Sequence, residues 1–186
     1  MGILSRKVRR SSLLEDSIDK KITYVKLFGE FGSYRYNKAM KISSPVFENN
    51  KPIPSKYTCD GGNFSPPLQI SEVPEGAKSL VLIVDDPDAP GKTWTHWTVW
   101  NIDPKTTEIP EGGIPEGSVQ GITDFGEVGY GGPCPPGGTH RYFFKLYALD
   151  TVLNIPYQAE KTDLEKVMAD CTLGKAELIG TYSRVQ

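Results

Sequence analysis

A chain of 186 residues and 20.5 kDa is sized for one domain with an extension, and its 15 prolines and 19 glycines interrupt it too often for a helical bundle. An apolar fraction of 38% excludes a disordered chain, and no apolar run approaches the ~20 residues that span a bilayer. The net charge of -2 divides into a basic head, with ten Lys or Arg against four acids over residues 1–41, and an acidic body, with eleven against nineteen. An acidic body argues against a folded reader of nucleic acid, so no nucleic acid polymer is expected as a partner.

The first residues, MGILSRKVRR, lack the apolar stretch of a signal peptide, and Arg6 stands where a myristoylation motif needs Ser or Thr. A cytoplasmic protein without stable membrane insertion is expected. Residues 1–38 form a basic N-terminal extension, either partly helical or disordered. Within it Ser11 and Ser12 offer a cap, and Leu14, Ile18, Ile22 and Val25 recur at helical spacing. The domain proper is expected over 39–186.

From residue 39 onward the pattern is one of strands and turns. KISSPVF is followed by a Gly- and Pro-rich loop at 60–67 and then by PLQISEV. The continuous run SLVLIV, Ser79 to Val84, reads as a strand buried on both faces that delivers Asp85 and Asp86 to its end. In THWTVWNI, alternation puts His96, Thr98 and Trp100 on one face and Trp97, Val99 and Ile102 on the other. Residues 103–139 are too long for a hairpin turn and are expected to carry functional loops. RYFFKLYAL is a third strong strand. The spacing of Leu164, Val167, Met168 and Cys171 predicts a helix stopping at Gly174, and AELIGTYSR a last strand.

The three cysteines, Cys59, Cys134 and Cys171, are odd in number and lack CxxC spacing, so free structural thiols are expected. A Cys59–Cys134 bridge is the alternative for a secreted or hyperthermophile protein. The chain has two histidines, His96 and His140. Hydrogen-bonded structural imidazoles are the plainer reading of each. Yet His140 and Tyr142 project from one strand face, where imidazole and phenol together can donate to one oxyanion. The Gly131–Gly138 bend before them contains the Cys134 N–H, which is expected to face a concavity. Asp86, in a loop stiffened by Pro87 and Pro90, would repel phosphate, so it is expected to buttress an imidazole rather than touch the anion. No metal site and no cofactor are expected.

The segments DPDAP at 86–90, WTHW at 94–97 and GGPCPPGGTHRY at 131–142, with YTCDGGNFSPPL at 57–68 and GTYSR at 180–184, resemble the signature regions of the phosphatidylethanolamine-binding-protein family. They are closest to its bacterial and archaeal, Raf-kinase-inhibitor-like branch. The resemblance implies a mainly β fold, a Greek-key β-sandwich of two antiparallel sheets with a few peripheral helices. It implies an anion pocket at Asp86, His96, His140 and Tyr142, with Pro90, Trp94, Pro135 and Pro136 shaping the rim. Cys134 departs from the eukaryotic pattern, in which a glycine supplies a backbone donor near this place. The function implied is a non-catalytic binding or regulatory module for a phosphate, phosphorylated head group or nucleotide. Inhibition of a protein kinase or serine protease, and a homodimer, follow from the same resemblance. The alternative is a metal-dependent or phosphoryl-handling enzyme built on Asp86, His96 and His140.

Overall fold

Period-two alternation sorts the apolar side chains onto opposite strand faces, and the computed structural model, which describes residues 39–184, is built on that sorting. In chain order the strands are β1 (Lys41–Ser43), β2 (Lys51–Pro52), β3 (Leu68–Ser71), β4 (Ser79–Asp86), β5 (Trp94–Ile102), β6 (Glu108–Ile109), β7 (Val119–Gln120), β8 (Thr139–Leu149) and β9 (Thr172–Ser183), with helix α1 (Lys161–Met168) before the last. The expected extension at 1–38 and its amphipathic helix lie outside the described residues.

Strands β1, β3 and β6 make a small antiparallel sheet, and the other six make a large one in the order β2-β9-β8-β4-β5-β7. After the long connection, β8 returns to pair with β4 rather than β5, which is the Greek-key step. The large sheet is antiparallel except at its edge, where the two residues of β2 run parallel to β9. Apart from that short edge pair, the described residues form the expected Greek-key β-sandwich of two antiparallel sheets.

Between the sheets, Ile42, Leu68, Ile70 and Ile109 pack against Leu82, Val84, Trp97, Phe144 and Leu146. On the far face of the large sheet, Val81, Ile83, Trp100 and Leu149 pack against Leu153, Ala159, Leu164 and Met168. Strand β4 is therefore buried on both faces along its whole length, as its uninterrupted apolar run requires.

The helix begins three residues earlier than its apolar spacing predicts. A reciprocal capping box between Glu160 and Asp163 fixes its start. Leu164 and Met168 are buried, whereas Val167 is exposed. The last turn ends with the Thr172 hydroxyl donating to Met168 O at 2.9 Å. Gly174 is not the helix stop; it lies within β9, where a side chain would crowd Pro74.

Successive residues of a strand point to opposite faces, so Asp85 and Asp86 part company at the end of β4. Asp85 is fully buried on the helix side, where Lys145 Nζ lies 2.8 Å from Oδ1 and Lys161 Nζ 2.6 Å from Oδ2. Lys161 thereby ties α1 to the sheet. Asp86 goes to the inter-sheet side and into the candidate site.

Cys59 and Cys134 form a disulfide across 75 residues of sequence, which overturns the expectation of free thiols at those two positions; Cys171 is free. The pairing follows from tertiary structure, because the 57–65 and 131–138 loops converge. Cys59 N donates to Pro133 O at 3.1 Å and Gly132 N to Asn63 Oδ1 at 2.8 Å.

Two stability outcomes follow. Asp85→Ala strands two lysines beside the sheet and is expected to lower unfolding free energy by about 3–5 kcal/mol in urea titrations. Reducing the Cys59–Cys134 bridge frees a long loop and should lower it by about 2–4 kcal/mol, read as the difference between oxidised and reduced protein.

Candidate functional site: two imidazoles, a carboxylate and a phenol

A β-bulge builds the centre of the site. The register of β5 against β4 runs from Trp97 opposite Val84 to Thr95 opposite Asp85, leaving His96 as an extra residue with no partner across the ladder. Bulges of this kind re-aim a side chain. His96 consequently meets Tyr142, edge-on with ring centroids 5.1 Å apart, while Trp100 packs on the helix side. The expected sharing of one face by His96 and Trp100 is thus corrected. A second irregularity, with Asn101 in the left-handed region at φ 56°, brings Ile102 back to the face of Trp97 and Val99.

The His96 ring is held from one side by Gly131. The Gly131 N–H donates to His96 O at 2.9 Å, and His96 Nδ1 lies 2.6 Å from Gly131 O. A carbonyl only accepts, so Nδ1 carries the proton and Nε2 is the ring's remaining hydrogen-bonding atom. His140 has the same polarity. Its Nδ1 donates to Asp86 Oδ2 at 2.7 Å, with both side chains buried. The other carboxylate oxygen of Asp86 accepts the Asp88 N–H at 2.8 Å. Asp86 therefore acts as the expected buttress, with both oxygens engaged.

Asp88 continues the support outward. It takes Arg141 Nε at 2.8 Å, Arg141 Nη2 at 2.7 Å and the Arg141 backbone N–H at 3.0 Å, clipping the 86–90 loop to the start of β8. Those bonds from Arg141 hold the Asp88 carboxyl down to about 2. The clip is accordingly ionised at neutral pH.

Burial pushes the Tyr142 phenol well above its ordinary pKa, and the Asp86 charge adds to the rise. The Cys134 N–H faces the phenol closely enough to oppose that shift but makes no aligned hydrogen bond. Tyr142 Oη is buried with no hydrogen-bond partner among the described residues, and so is Trp94 Nε1. Buried polar atoms are paired in the great majority of cases, so an unpaired phenol that packs on His96 and lies two residues from His140 on β8 is informative. Burial also holds His96 below the ordinary histidine value, against the pull of Gly131 O and the charges of Asp86, Asp85 and Asp124. His96 is consequently neutral near pH 7.

Asp86, His96, His140 and Tyr142 form one cluster, with Cys134 joined through Tyr142. Trp94 is joined through Phe125, whose ring lies 5.5 Å from Trp94 and 5.3 Å from His96. Of the rim prolines, Pro90 and Pro136 are exposed and Pro135 is buried beside Cys134. Among the described residues no group of three or more His, Cys, Asp or Glu side chains is arranged to hold a metal ion, so the triad of Asp86, His96 and His140 is not assembled as one. Sequence reasoning missed Phe125, the Gly131 carbonyl and the Asp88–Arg141 clip. The aromatic set between Asp124 and Gly126 in a glycine-rich loop was the available signal for the first; the other two depend on register.

No helix among the described residues is long and apolar enough to cross a membrane. The UPF0098 protein of Methanothermobacter thermautotrophicus is 54% identical over 150 residues, covering 78% of this chain and 99% of the relative. That of Pyrococcus horikoshii is 50% identical over 165 residues, covering 84% and 82%. Among solved structures, a phosphatidylethanolamine-binding-protein homologue of Chlamydia trachomatis superposes with a TM-score of 0.76 at 45% identity, covering 79% of this chain and 99% of that one. Escherichia coli YbcL, described as a new member of the mammalian family, gives 0.75 at 34% identity and covers 80% and 100%. With the family model for phosphatidylethanolamine-binding protein matching residues 43–183, the chain belongs to the phosphatidylethanolamine-binding protein family.

Proposed function

We propose that the chain is a non-catalytic binding module whose buried cluster takes one small oxyanion, such as a phosphate monoester, together with a proton. The observation that carries this reading is the unpaired Tyr142 Oη in a cluster with two imidazoles whose Nδ1 atoms are already committed, His96 against its ring and His140 two residues away on β8. The phenol is a ready donor at every accessible pH. Each Nε2 becomes a donor when its ring is protonated, and an arriving anion supplies the charge that favours protonation. Asp86 holds His140 and, with both oxygens occupied, does not compete for the ligand's donors. Resemblance to the family adds kinase or protease inhibition as the regulatory output of such a module.

The sign of the pH dependence follows from His96. Because its folded pKa is depressed, its neutral form adds stability above about pH 6.5, and that stability is withdrawn as pH falls toward the folded value. Anion binding works in the opposite sense, since it draws a proton onto the ring. Sulfate, whose charge is constant over this range, is expected to bind more weakly as pH rises, by up to about tenfold per unit for each proton taken up. Calorimetric titration between about pH 5 and pH 8 reads this directly; an affinity independent of pH would refute proton-linked binding.

Tyr142→Phe separates function from folding. Removing a buried, unpaired hydroxyl is expected to leave the melting temperature unchanged or raised, while weakening sulfate by about threefold to tenfold. A variant that melts lower and binds sulfate normally would assign the phenol a structural role instead. His140→Ala is expected to weaken sulfate by at least about tenfold, followed through the His96 imidazole signal in NMR titrations.

A further inference from the structure

Phe125 is 45% exposed, yet the turn that carries it is tied by several hydrogen bonds. Thr123 N and Oγ1 both donate to Glu127 O at 3.0 Å, and Gly126 N donates to Thr123 O at 3.0 Å. Asp124 N donates to Thr95 O at 3.1 Å, while Asp124 Oδ2 accepts the Thr95 N–H at 2.6 Å. The ring closes over His96, and Gly131 leaves the room for it: a Cβ there would collide with the Phe125 ring. A turn this heavily tied has no folding need for an exposed aromatic at its tip, and the residue opposite is kept small for it.

The same ring lines a cavity of about 300 Å³ whose walls include Phe125, Val128, Tyr130, Gly131, Cys134 and Glu127. None of the four cluster residues lines this cavity, but three of its wall residues touch them. Phe125 packs on His96, Gly131 accepts from it, and the Cys134 amide faces Tyr142. Among the described residues Glu127 is the one charged side chain in the lining, so a second anionic group there would be repelled.

We propose that the oxyanion taken by the cluster carries an uncharged aromatic or apolar body, which lies in this cavity against Phe125 and Val128. The inference rests on the anion reading of the site and narrows it to arylated or similarly apolar monoesters. Polyphosphates are disfavoured. Phe125 and Val128 set specificity by contact with the body, not with the anion.

Calorimetric titration of wild type, Phe125→Ala and Val128→Ser with methyl phosphate and phenyl phosphate tests this, with sulfate as the reference anion. Phenyl phosphate is expected to bind about three- to tenfold tighter than methyl phosphate to wild type. In Phe125→Ala the ratio should fall to near one. In Val128→Ser, a change at an exposed position of the cavity wall, the ratio should shrink as well. Equal binding of the two monoesters by wild type, or a ratio that survives Phe125→Ala, overturns the proposal. If sulfate binds while both monoesters fail, this inference falls and the anion site stands; if sulfate also fails, both fall.

Discussion

Two adjacent buried carboxylates at the end of one central strand have to be neutralised, and the way the fold does so organises the molecule. Asp85 and Asp86 point to opposite faces of β4. A carboxylate buried without partners would take up a proton or unfold its surroundings. Asp85 is met by Lys145 from β8 and Lys161 from α1, so its burial pins the helix layer to the sheet. Asp86 is met by the His140 imidazole and the Asp88 amide, so its burial pins the 86–90 loop and the start of β8 to the inter-sheet side. Asp85 does not read as exceptional in sequence, since paired acids commonly sit in solvent at a strand end.

The site itself is held by loops that would otherwise be free to move. The Cys59–Cys134 bridge, the Asn63–Gly132 hydrogen bond and the Tyr130 hydroxyl donating to Tyr57 O at 2.8 Å join the 57–65 segment to the 130–138 segment. On the other side the Asp88–Arg141 fork fixes the 86–90 loop. A candidate site framed this way is preorganised, so that the proposed anion would bind without first ordering a loop. The bridge also bears on where such a protein resides, because reducing compartments in most organisms keep exposed disulfides open.

Within that frame the bulge at His96 is the decisive local feature. Without the extra residue, alternation would carry His96 to the helix side with Trp100, away from Tyr142 and Gly131. One inserted residue exchanges a regular ladder for an imidazole in the inter-sheet site. The remaining hydrogen-bonding capacity of the cluster, at Tyr142 Oη and the two Nε2 atoms, is what distinguishes it from a satisfied polar core.

Much of this was legible in the residues. Strand β4 is recognisable from its unbroken apolar run, β8 from its alternation, and the grouping of Asp86, His96, His140 and Tyr142 from motif segments shared with a family. His140 and Tyr142 share a face because period-two geometry is local, and no distant residue can change it. What sequence could not supply are contacts set by register and loop convergence. The bulge that turns His96, the pairing of Cys59 with Cys134, the helix start fixed by Glu160 and Asp163, and the Phe125 ring lodged against Gly131 each join residues whose proximity depends on how separate segments pack. Chemistry that resides within one strand is written in sequence order, whereas chemistry made by two loops meeting exists only once the sheets between them have folded.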